Sequence, residues 1–247
     1  MGRRSYRKTI VISLLLVFFN SANITKTDYS EAFAAGLSSN SPNSVTISTP
    51  FPSPGANEGG RKVRLPIFVG VIRRNAAAYG LDWRLVLAVM KQESQFDVNA
   101  ISPRGARGLM QVMPSTGVEV ASRLGYDNLL HPHRNIKGGT YYLANLLRLF
   151  ESAPDGDKLK LAIASYNAGP SRIYDAQDIA AYLGENPNSW QSVEKALPLL
   201  SKRYYTLHRS VWDGGIPRSG YFGKSRQTIL YVHKVVENYE EYKLLLN

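Results

Sequence analysis

The stretch 82–95, DWRLVLAVMKQESQ, has the periodicity of an amphipathic α-helix. Its apolar residues recur three and four positions apart, which places them on one buried face. Glu93 lies four residues after Val89 and three after Met90, so the spacing puts its carboxyl group on that face. Asp82 precedes the first turn and is a suitable N-cap. The stretch therefore predicts a helix that carries one carboxylate toward the protein interior.

A carboxyl group in that position is chemically informative. Burial disfavours the charged form and raises the pKa, and moving a Glu from about 4.3 to between 6 and 7 takes about 3 kcal/mol. A Glu tuned in this way can donate a proton at neutral pH. The alternative is structural: a Glu at a helix end can also turn out to solvent or pair with an Arg. Position alone leaves both interpretations of Glu93 open.

The chain beyond residue 63 has helical periodicity almost throughout, and no segment alternates apolar and polar residues over a useful strand length. Pro and Gly residues separate the periodic segments. Gly169 and Pro170, in particular, predict the end of a helix. These patterns predict an all-α fold in a single domain over residues 63–247, with helices near 67–79, 83–95, 114–125, 136–150, 158–168, 189–209 and 225–246.

The N-terminal part predicts a different organisation. Four basic residues precede an apolar run over 10–19, as in an export signal, and this run is shorter than the ~20 residues of a membrane-spanning helix. The next segment is rich in Ser, Pro, Asn and Gly, which is typical of a flexible linker. We expect an export signal with its cleavage region over 1–34 and a linker over 35–62. The mature protein would then lie in the periplasm or cell envelope without an integral membrane span.

Composition narrows the chemistry. The chain has no cysteine, which excludes thiol catalysis, cysteine-ligated zinc and lipid attachment at a cysteine. Its 30 basic and 19 acidic residues give a net charge of +11, which suggests a polyanionic partner. Beyond the N-terminus the basic residues are scattered among acids rather than gathered in a stripe, which argues against nucleic acid. A cell wall with peptide carboxylates is an equally good anionic partner.

The histidines and aspartates of two predicted loops do not indicate a metal site. His131 and His133 flank a proline, and Asp155 and Asp157 border a glycine. Neither pair has the spacing of a zinc site or a calcium-binding loop. We therefore expect neither a metal nor another cofactor.

Three sequence motifs, taken together, are specific. Glu93-Ser94 is followed by GLMQVMP at 108–114 and by ASYNAG at 164–169. In addition to these three, Gln227-Thr228 precedes Tyr231-Val232. With these elements the chain resembles the family-1 soluble lytic transglycosylases (glycoside hydrolase family 23), a goose-type-lysozyme-like group that cleaves bacterial peptidoglycan. The resemblance extends over about 65–242. It implies a lysozyme-like all-α fold and glycan strands of peptidoglycan as the substrate.

The resemblance also implies roles for individual residues. Glu93 would be the catalytic acid/base and would protonate the oxygen between N-acetylmuramic acid and N-acetylglucosamine. The substrate would be contacted by a set of eight residues: Ser102, Met110, Gln111, Met113, Tyr166, Asn167, Gln227 and Tyr231. Tyr166 would lie near the Glu93 carboxylate and Asn167 toward the N-acetyl group. Taken without the resemblance, Tyr166 could equally be a core residue, and Met110 and Met113 ordinary gap fillers.

One position departs from the family pattern. The family usually carries Glu where this chain has Gln227, and an amide can hydrogen-bond a sugar but carries no charge. The departure concerns substrate contacts and subsite preference rather than the chemistry at Glu93.

A glycosidase ordinarily uses two carboxylates. Only Asp97 is near Glu93 in sequence, and it has the position of a turn residue. The family route is substrate assistance, in which the 2-acetamido oxygen first attacks the anomeric carbon. The muramic acid 6-hydroxyl then displaces the acetamido oxygen, which gives a 1,6-anhydro product. A muramidase that lets water attack and a wall-binding or envelope-assembly module that has lost turnover are the alternatives.

Overall fold

The computed structural model of this chain describes residues 67–246. The predicted export signal and linker lie outside the described residues, so their boundaries stay predictions. Within 67–246 the fold is all-α, as predicted, and the only β-like features are isolated bridges that pair Arg107 with Ile101 and with Val112. No described helix is both long enough and apolar enough to cross a membrane.

The described residues form nine α-helices and two short 3₁₀ turns. The helices are α1 (Val69–Ala78), α2 (Trp83–Ser94), α3 (Pro114–Arg123), α4 (Pro132–Leu149), α5 (Asp155–Ala168), α6 (Pro170–Tyr182), α7 (Trp190–Ala196), α8 (Tyr205–Val211) and α9 (Ser225–Leu245). The 3₁₀ turns are Leu197–Leu200 and Lys202–Tyr204.

Helix α2 is largely buried within the fold. It packs against α1 on one side and against the long C-terminal helix α9 on another, and α5 packs against α4, α6 and α9. Residues 85–90 of α2 are all buried, so this helix is covered nearly all round for two turns. Such burial is typical of a core helix rather than a surface helix. The polar end of α2, which carries Glu93, is where the core opens.

Capping explains the ends of α2. The Asp82 side chain accepts a hydrogen bond from the Arg84 N–H at 2.9 Å, which confirms the predicted N-cap. At the other end, Gln95 has φ 51° and Phe96 has φ 69°. Left-handed backbone is unfavourable for residues with a Cβ atom. Two such residues in succession turn the chain sharply away directly after Glu93.

Two sequence predictions about helices were wrong. The sequence Gly169-Pro170 ends α5 as expected, but α6 begins at once because proline is favourable at the first position of a helix. The predicted helix over 189–209 is in fact α7, two 3₁₀ turns and α8, with Pro198 in the first of those turns. A proline interrupts α-helical hydrogen bonding, and the apolar periodicity continues across the break.

Candidate active site

An open groove of about 570 Å³ lies at the end of α2 that carries the partly buried Glu93. Its wall on one side is the last turn of α2, and on the other side it is the loop that connects α2 to α3. The groove is lined by Gln92, Glu93, Ser94, Gln95, Asp97, Ala100, Ile101, Ser102 and Gln111. Most of these residues are polar, which suits a hydrophilic ligand such as a carbohydrate.

Glu93 is held by a tyrosine from the opposite end of the sequence. The Tyr231 hydroxyl on α9 donates a hydrogen bond of 2.5 Å to Oε1 of Glu93. Tyr231 is buried, and α9 packs along α2, so the contact follows from helix packing rather than from a loop. The resemblance implies that Tyr231 contacts the substrate, and in the structure its hydroxyl contacts the Glu93 carboxyl group.

Burial tunes the acidity of this carboxyl group. Loss of water around Glu93 raises its pKa from 4.5 to about 7, and the hydrogen bond from Tyr231 acts in the opposite direction. No cation partner of Glu93 is found among residues 67–246 that would bring the pKa back to its usual range. A Glu with a pKa near 7 can both donate and accept a proton at neutral pH.

A second tyrosine supports the same region. The Tyr166 hydroxyl on α5 donates a hydrogen bond of 2.8 Å to the Met110 carbonyl, and the Tyr166 ring contacts the ring of Tyr142. Burial raises the pKa of Tyr166 well above its usual value, and the negative charge of Glu93 adds to this rise. Tyr166 is therefore within electrostatic reach of Glu93, as expected, but its hydrogen bond goes to the loop.

Hydrogen bonds from Ser94 and Gln111 fix the loop wall. The Ser94 hydroxyl lies 2.9 Å from the Leu109 carbonyl, and the side-chain amide of Gln111 donates to the Ala100 and Gly108 carbonyls at 2.9 Å each. Gln111 itself has φ 44°. Such a backbone costs on the order of 1–3 kcal/mol and persists only where other contacts enforce it. Three non-glycine residues in the left-handed region thus surround the groove.

A second, smaller pocket of about 250 Å³ adjoins the groove, and Gln111 lines both. Several predicted substrate contacts lie here rather than beside Glu93. It is lined by Arg104, Gln111, Val112, Met113, Thr116, Tyr142, Tyr166, Asn167, Ala168, Gly169 and Arg172. The Asn167 side-chain oxygen accepts a hydrogen bond of 2.8 Å from the Thr228 hydroxyl, which ties α5 to α9.

Comparison with protein families assigns the part of the chain that forms the groove. The sequence profile described as the transglycosylase SLT domain matches residues 70–189. This part of the chain, residues 70–189, is a transglycosylase SLT domain. The match includes Glu93 and both walls of the groove, whereas Tyr231 and Gln227 lie beyond it.

The relatives of the SLT domain support this assignment. The chain is 42% identical over 145 residues to membrane-bound lytic murein transglycosylase F of Shewanella loihica, which is 58% of this chain and 29% of that protein. It is 35% identical over 178 residues to the protein of the same name from Desulfosudis oleivorans, which is 72% of this chain and 36% of that protein. The chain thus spans only about a third of the length of these relatives.

Among solved structures, the SLT domain is similar to the 70 kDa soluble lytic transglycosylase of Escherichia coli. The TM-score is 0.47 at 22% identity, with 70% of this chain and 24% of that chain covered. A lytic transglycosylase from Pseudomonas aeruginosa gives a TM-score of 0.44 at 27% identity, with 72% and 24% covered.

Apart from Met110, the predicted site residues fall into four groups. Glu93, Ser102 and Gln111 line the groove, and Met113, Tyr166 and Asn167 line the second pocket together with Gln111. Tyr231, which is buried on α9, donates a hydrogen bond to the Glu93 carboxyl group. Gln227 is exposed on the first turn of α9 and lines neither space. Its role as a substrate contact therefore stays a prediction.

The predicted role of Met110 as a substrate contact does not fit its position. Its side chain has no exposed surface and lies against Gly139, where an added Cβ would come within 2.5 Å of the Met110 Cβ. A fully buried side chain offers no surface to a sugar, so the prediction that Met110 contacts the substrate was wrong for its side chain. Its backbone is what serves the site, because the Met110 carbonyl accepts the Tyr166 hydrogen bond.

Sequence reasoning missed Asn135, which holds the loop wall from α4. Its side-chain oxygen accepts from the Met110 N–H at 2.8 Å, and its amide nitrogen donates to the Arg107 carbonyl at 3.0 Å and the Leu129 carbonyl at 3.3 Å. Gly108 passes so close that an added Cβ would lie 2.9 Å from the Asn135 amide. A polar residue in a helix segment with buried neighbours was the available signal, since such a residue must have partners.

Proposed function

We propose that this chain is a peptidoglycan lytic transglycosylase that cleaves the β-1,4 bond between N-acetylmuramic acid and N-acetylglucosamine. The observation that carries the proposal is Glu93: a carboxyl group with a pKa of about 7, bound by Tyr231 and open to a polar groove within an SLT domain. The names of the relatives, which are lytic murein transglycosylases, support the same substrate.

The reaction needs one group that changes its protonation state twice. Protonated Glu93 gives its proton to the glycosidic oxygen as the bond to the anomeric carbon breaks. The 2-acetamido oxygen of the muramic acid attacks that carbon and forms an oxazolinium ion. The Glu93 carboxylate then takes the proton of the 6-hydroxyl, whose oxygen displaces the acetamido oxygen to give the 1,6-anhydro ring. No water enters, and Glu93 ends protonated.

Tyr231 suits both steps of this cycle. Its hydroxyl stabilises the carboxylate that forms when Glu93 has given up its proton, and it leaves the second carboxyl oxygen free. The charged form of Tyr231 itself is strongly disfavoured, because burial and the neighbouring Glu93 raise its pKa well above the usual range. Tyr231 therefore acts as a hydrogen-bond donor and Glu93 alone exchanges the proton.

One observation favours hydrolysis as the second candidate. Asp97 lines the same groove as Glu93, and a second carboxylate in a groove could activate a water. Its side chain, however, accepts a hydrogen bond of 2.9 Å from the Asn99 N–H and is exposed in a turn. This is the position expected of a turn residue. The transglycosylase route requires no such base.

Mass spectrometry of the soluble products separates the candidates. The purified protein is incubated with intact peptidoglycan, and Glu93→Gln serves as the inactive control. Products with 1,6-anhydromuramic ends, one water lighter than hydrolysis products, are expected. Reducing ends that disappear in Asp97→Asn would establish a muramidase. Sedimentation of the protein with the wall without any soluble product would establish a binding module.

We also propose that the protein acts in the periplasm or cell envelope. The support is the basic and apolar pattern of the first 34 residues together with a substrate that lies outside the cytoplasm. N-terminal sequencing of the envelope fraction should find a mature chain that begins between Asn23 and Ala35. Recovery of the full-length protein from the cytosol alone would contradict this proposal.

A further inference from the structure

The second pocket, beside the groove, carries positive charge without a negative partner. Arg104 is exposed and forms no hydrogen bond or ion pair with another residue of the described part of the chain. Arg172 has a buried Nε atom without a hydrogen-bond partner. Its guanidinium donates only to the Ala168 carbonyl, at 2.7 Å, and packs over the Phe222 ring. No Asp or Glu of residues 67–246 lines this pocket.

Two helices also direct their N-termini at the same pocket. Met113 and Thr116 come from the start of α3, and Gly169 and Arg172 come from the start of α6. Neither helix has a side chain that caps its N-terminus. An uncapped N-terminus presents free N–H groups and a partial positive charge, which favours an anion.

The size and shape of the pocket indicate the kind of anion. At about 250 Å³ the pocket is smaller than the roughly 300–1,000 Å³ typical of sites for whole small molecules. It therefore suits one charged group of a larger ligand that also occupies the adjoining groove. A guanidinium is a planar fork whose N–H groups match the two oxygens of a carboxylate.

We propose that this pocket binds a carboxylate on the muramic acid side of the glycan strand, with Arg104 and Arg172 as its ligands. The proposal rests on the proposed function for its substrate, because the groove occupied by Glu93 and the pocket share Gln111. Muramic acid carries a lactyl group that is either joined to a stem peptide with free carboxylates or is itself a free carboxylate. Both sources present the same chemistry to Arg104 and Arg172.

Three forms of one substrate test the proposal. They are native glycan strands with stem peptides, the same strands after carbodiimide-mediated amidation of the carboxylates, and strands stripped of peptides by an amidase, which frees the lactyl carboxylate. Cleavage rates at low substrate concentration give kcat/KM for each. The unmodified protein should cleave native strands about tenfold faster than amidated ones, the size expected for one charge-assisted contact. Stripped strands cleaved at the native rate show that a free lactyl carboxylate also fits the pocket, and stripped strands cleaved at the amidated rate show that only a stem-peptide carboxylate does.

Variants of the two arginines locate the effect. Arg104→Gln should reduce the native-to-amidated ratio to about one, and Arg104 has no structural partner whose loss would unfold the protein. Arg172→Lys, which keeps the charge but not the planar fork, should reduce the ratio partly. Arg74→Gln, an exposed arginine on α1 that lines neither space, should keep the unmodified ratio.

Other outcomes overturn the proposal. A ratio of one in the unmodified protein, or an Arg104→Gln variant that discriminates as well as the unmodified protein, would show that the pocket does not bind carboxylates. If no strand is cleaved, the proposed function fails instead, and equilibrium binding of soluble native and amidated muropeptides decides about the pocket. A preference for native muropeptides that Arg104→Gln removes would still support it, and equal binding would overturn it.

Discussion

The two walls of the groove are built in different ways. The helical wall, α2 backed by α9, places Glu93 and Tyr231 with regular backbone and helix-to-helix packing. The loop wall, residues 95–112, depends on three non-glycine residues with positive φ and on side-chain hydrogen bonds to backbone carbonyls. The helical wall therefore sets the acidity of the reacting group through burial. The loop wall sets the shape of the groove, and polar contacts hold this wall in place.

The largest expected effect tests the helical wall. Glu93→Gln should reduce cleavage of purified peptidoglycan by at least 10²–10⁴-fold, because the amide cannot transfer the proton. Asp97→Asn, four residues later in the loop wall, is the matched control and should keep the rate within a few fold. Equal losses in the two variants would show that both walls supply a carboxylate to the reaction.

The same substitution has a consequence for stability. Because the pKa of Glu93 is raised to about 7, the folded protein binds this proton more tightly than the unfolded chain does. Its stability therefore falls as the pH rises from about 4.5 to 7, and Glu93→Gln should be more stable than the unmodified protein at pH 8 by up to ~3 kcal/mol. Urea unfolding at pH 4 and pH 8 measures this difference. A stability gain that is the same at both pH values would contradict the assigned pKa.

The next effect tests the loop wall. Asn135→Ala should lower the free energy of unfolding by about 2–3 kcal/mol, since it leaves a buried N–H of Met110 and the Leu129 carbonyl without their side-chain partner. Asn145→Ala on the same helix α4 is the control. The Asn145 side chain accepts one exposed hydrogen bond, from the Arg148 guanidinium. The loss of this bond should change stability by less than about 0.5 kcal/mol. Similar denaturant midpoints for the two variants would show that the loop does not depend on Asn135.

A third effect concerns the hydrogen bond that joins α9 to α2. Tyr231→Phe removes a donor that stabilises the Glu93 carboxylate, so the pKa of Glu93 should rise further. Since cleavage requires protonated Glu93, the alkaline limb of the kcat/KM profile should move to higher pH by about one unit. The rate near pH 6 should fall by about tenfold. Rates across pH 5 to 9 measure both changes.

The control for Tyr231 comes from the same helix. The Tyr239 hydroxyl donates to the Asp82 carboxylate at 3.0 Å, a bond of the same kind that lies at the other end of α2. Tyr239→Phe should lower stability slightly and leave the pH profile unchanged. A downward shift of the alkaline limb in Tyr231→Phe would show that Tyr231 does not favour the charged form of Glu93.

The smallest effect concerns Gln227, which lies on α9 but outside both spaces. If its amide hydrogen-bonds a sugar, Gln227→Ala should weaken substrate binding by about 1 kcal/mol, and Gln227→Glu should change turnover only modestly. Steady-state KM and kcat on peptidoglycan fragments separate these outcomes. A hundredfold gain from Gln227→Glu would show instead that the unmodified protein is a weak enzyme and would favour a binding role.

Local sequence patterns predicted the helices well where capping and periodicity agree. Asp82 precedes the first residue of α2, and α3 begins at Pro114 as predicted, whereas α4 begins at Pro132, four residues before the predicted start at 136. These patterns failed where one residue is compatible with two kinds of local structure. Pro170 follows the end of α5 but also begins α6, and apolar spacing hides the interruption at Pro198. A proline is compatible with both an end and a beginning, so only the neighbouring packing decides.

The sequence by itself determined the all-α class, the helix α2, and the placement of Glu93 on its buried face, because these depend on spacing within single segments. The motifs determined the family. Tertiary structure alone decided that Tyr231 rather than Tyr166 binds the Glu93 carboxyl group, that Met110 is fully buried, and that Asn135 holds the loop wall. These contacts join residues from 25 to 138 positions apart in the chain, and no local period encodes which distant side chain completes a hydrogen bond.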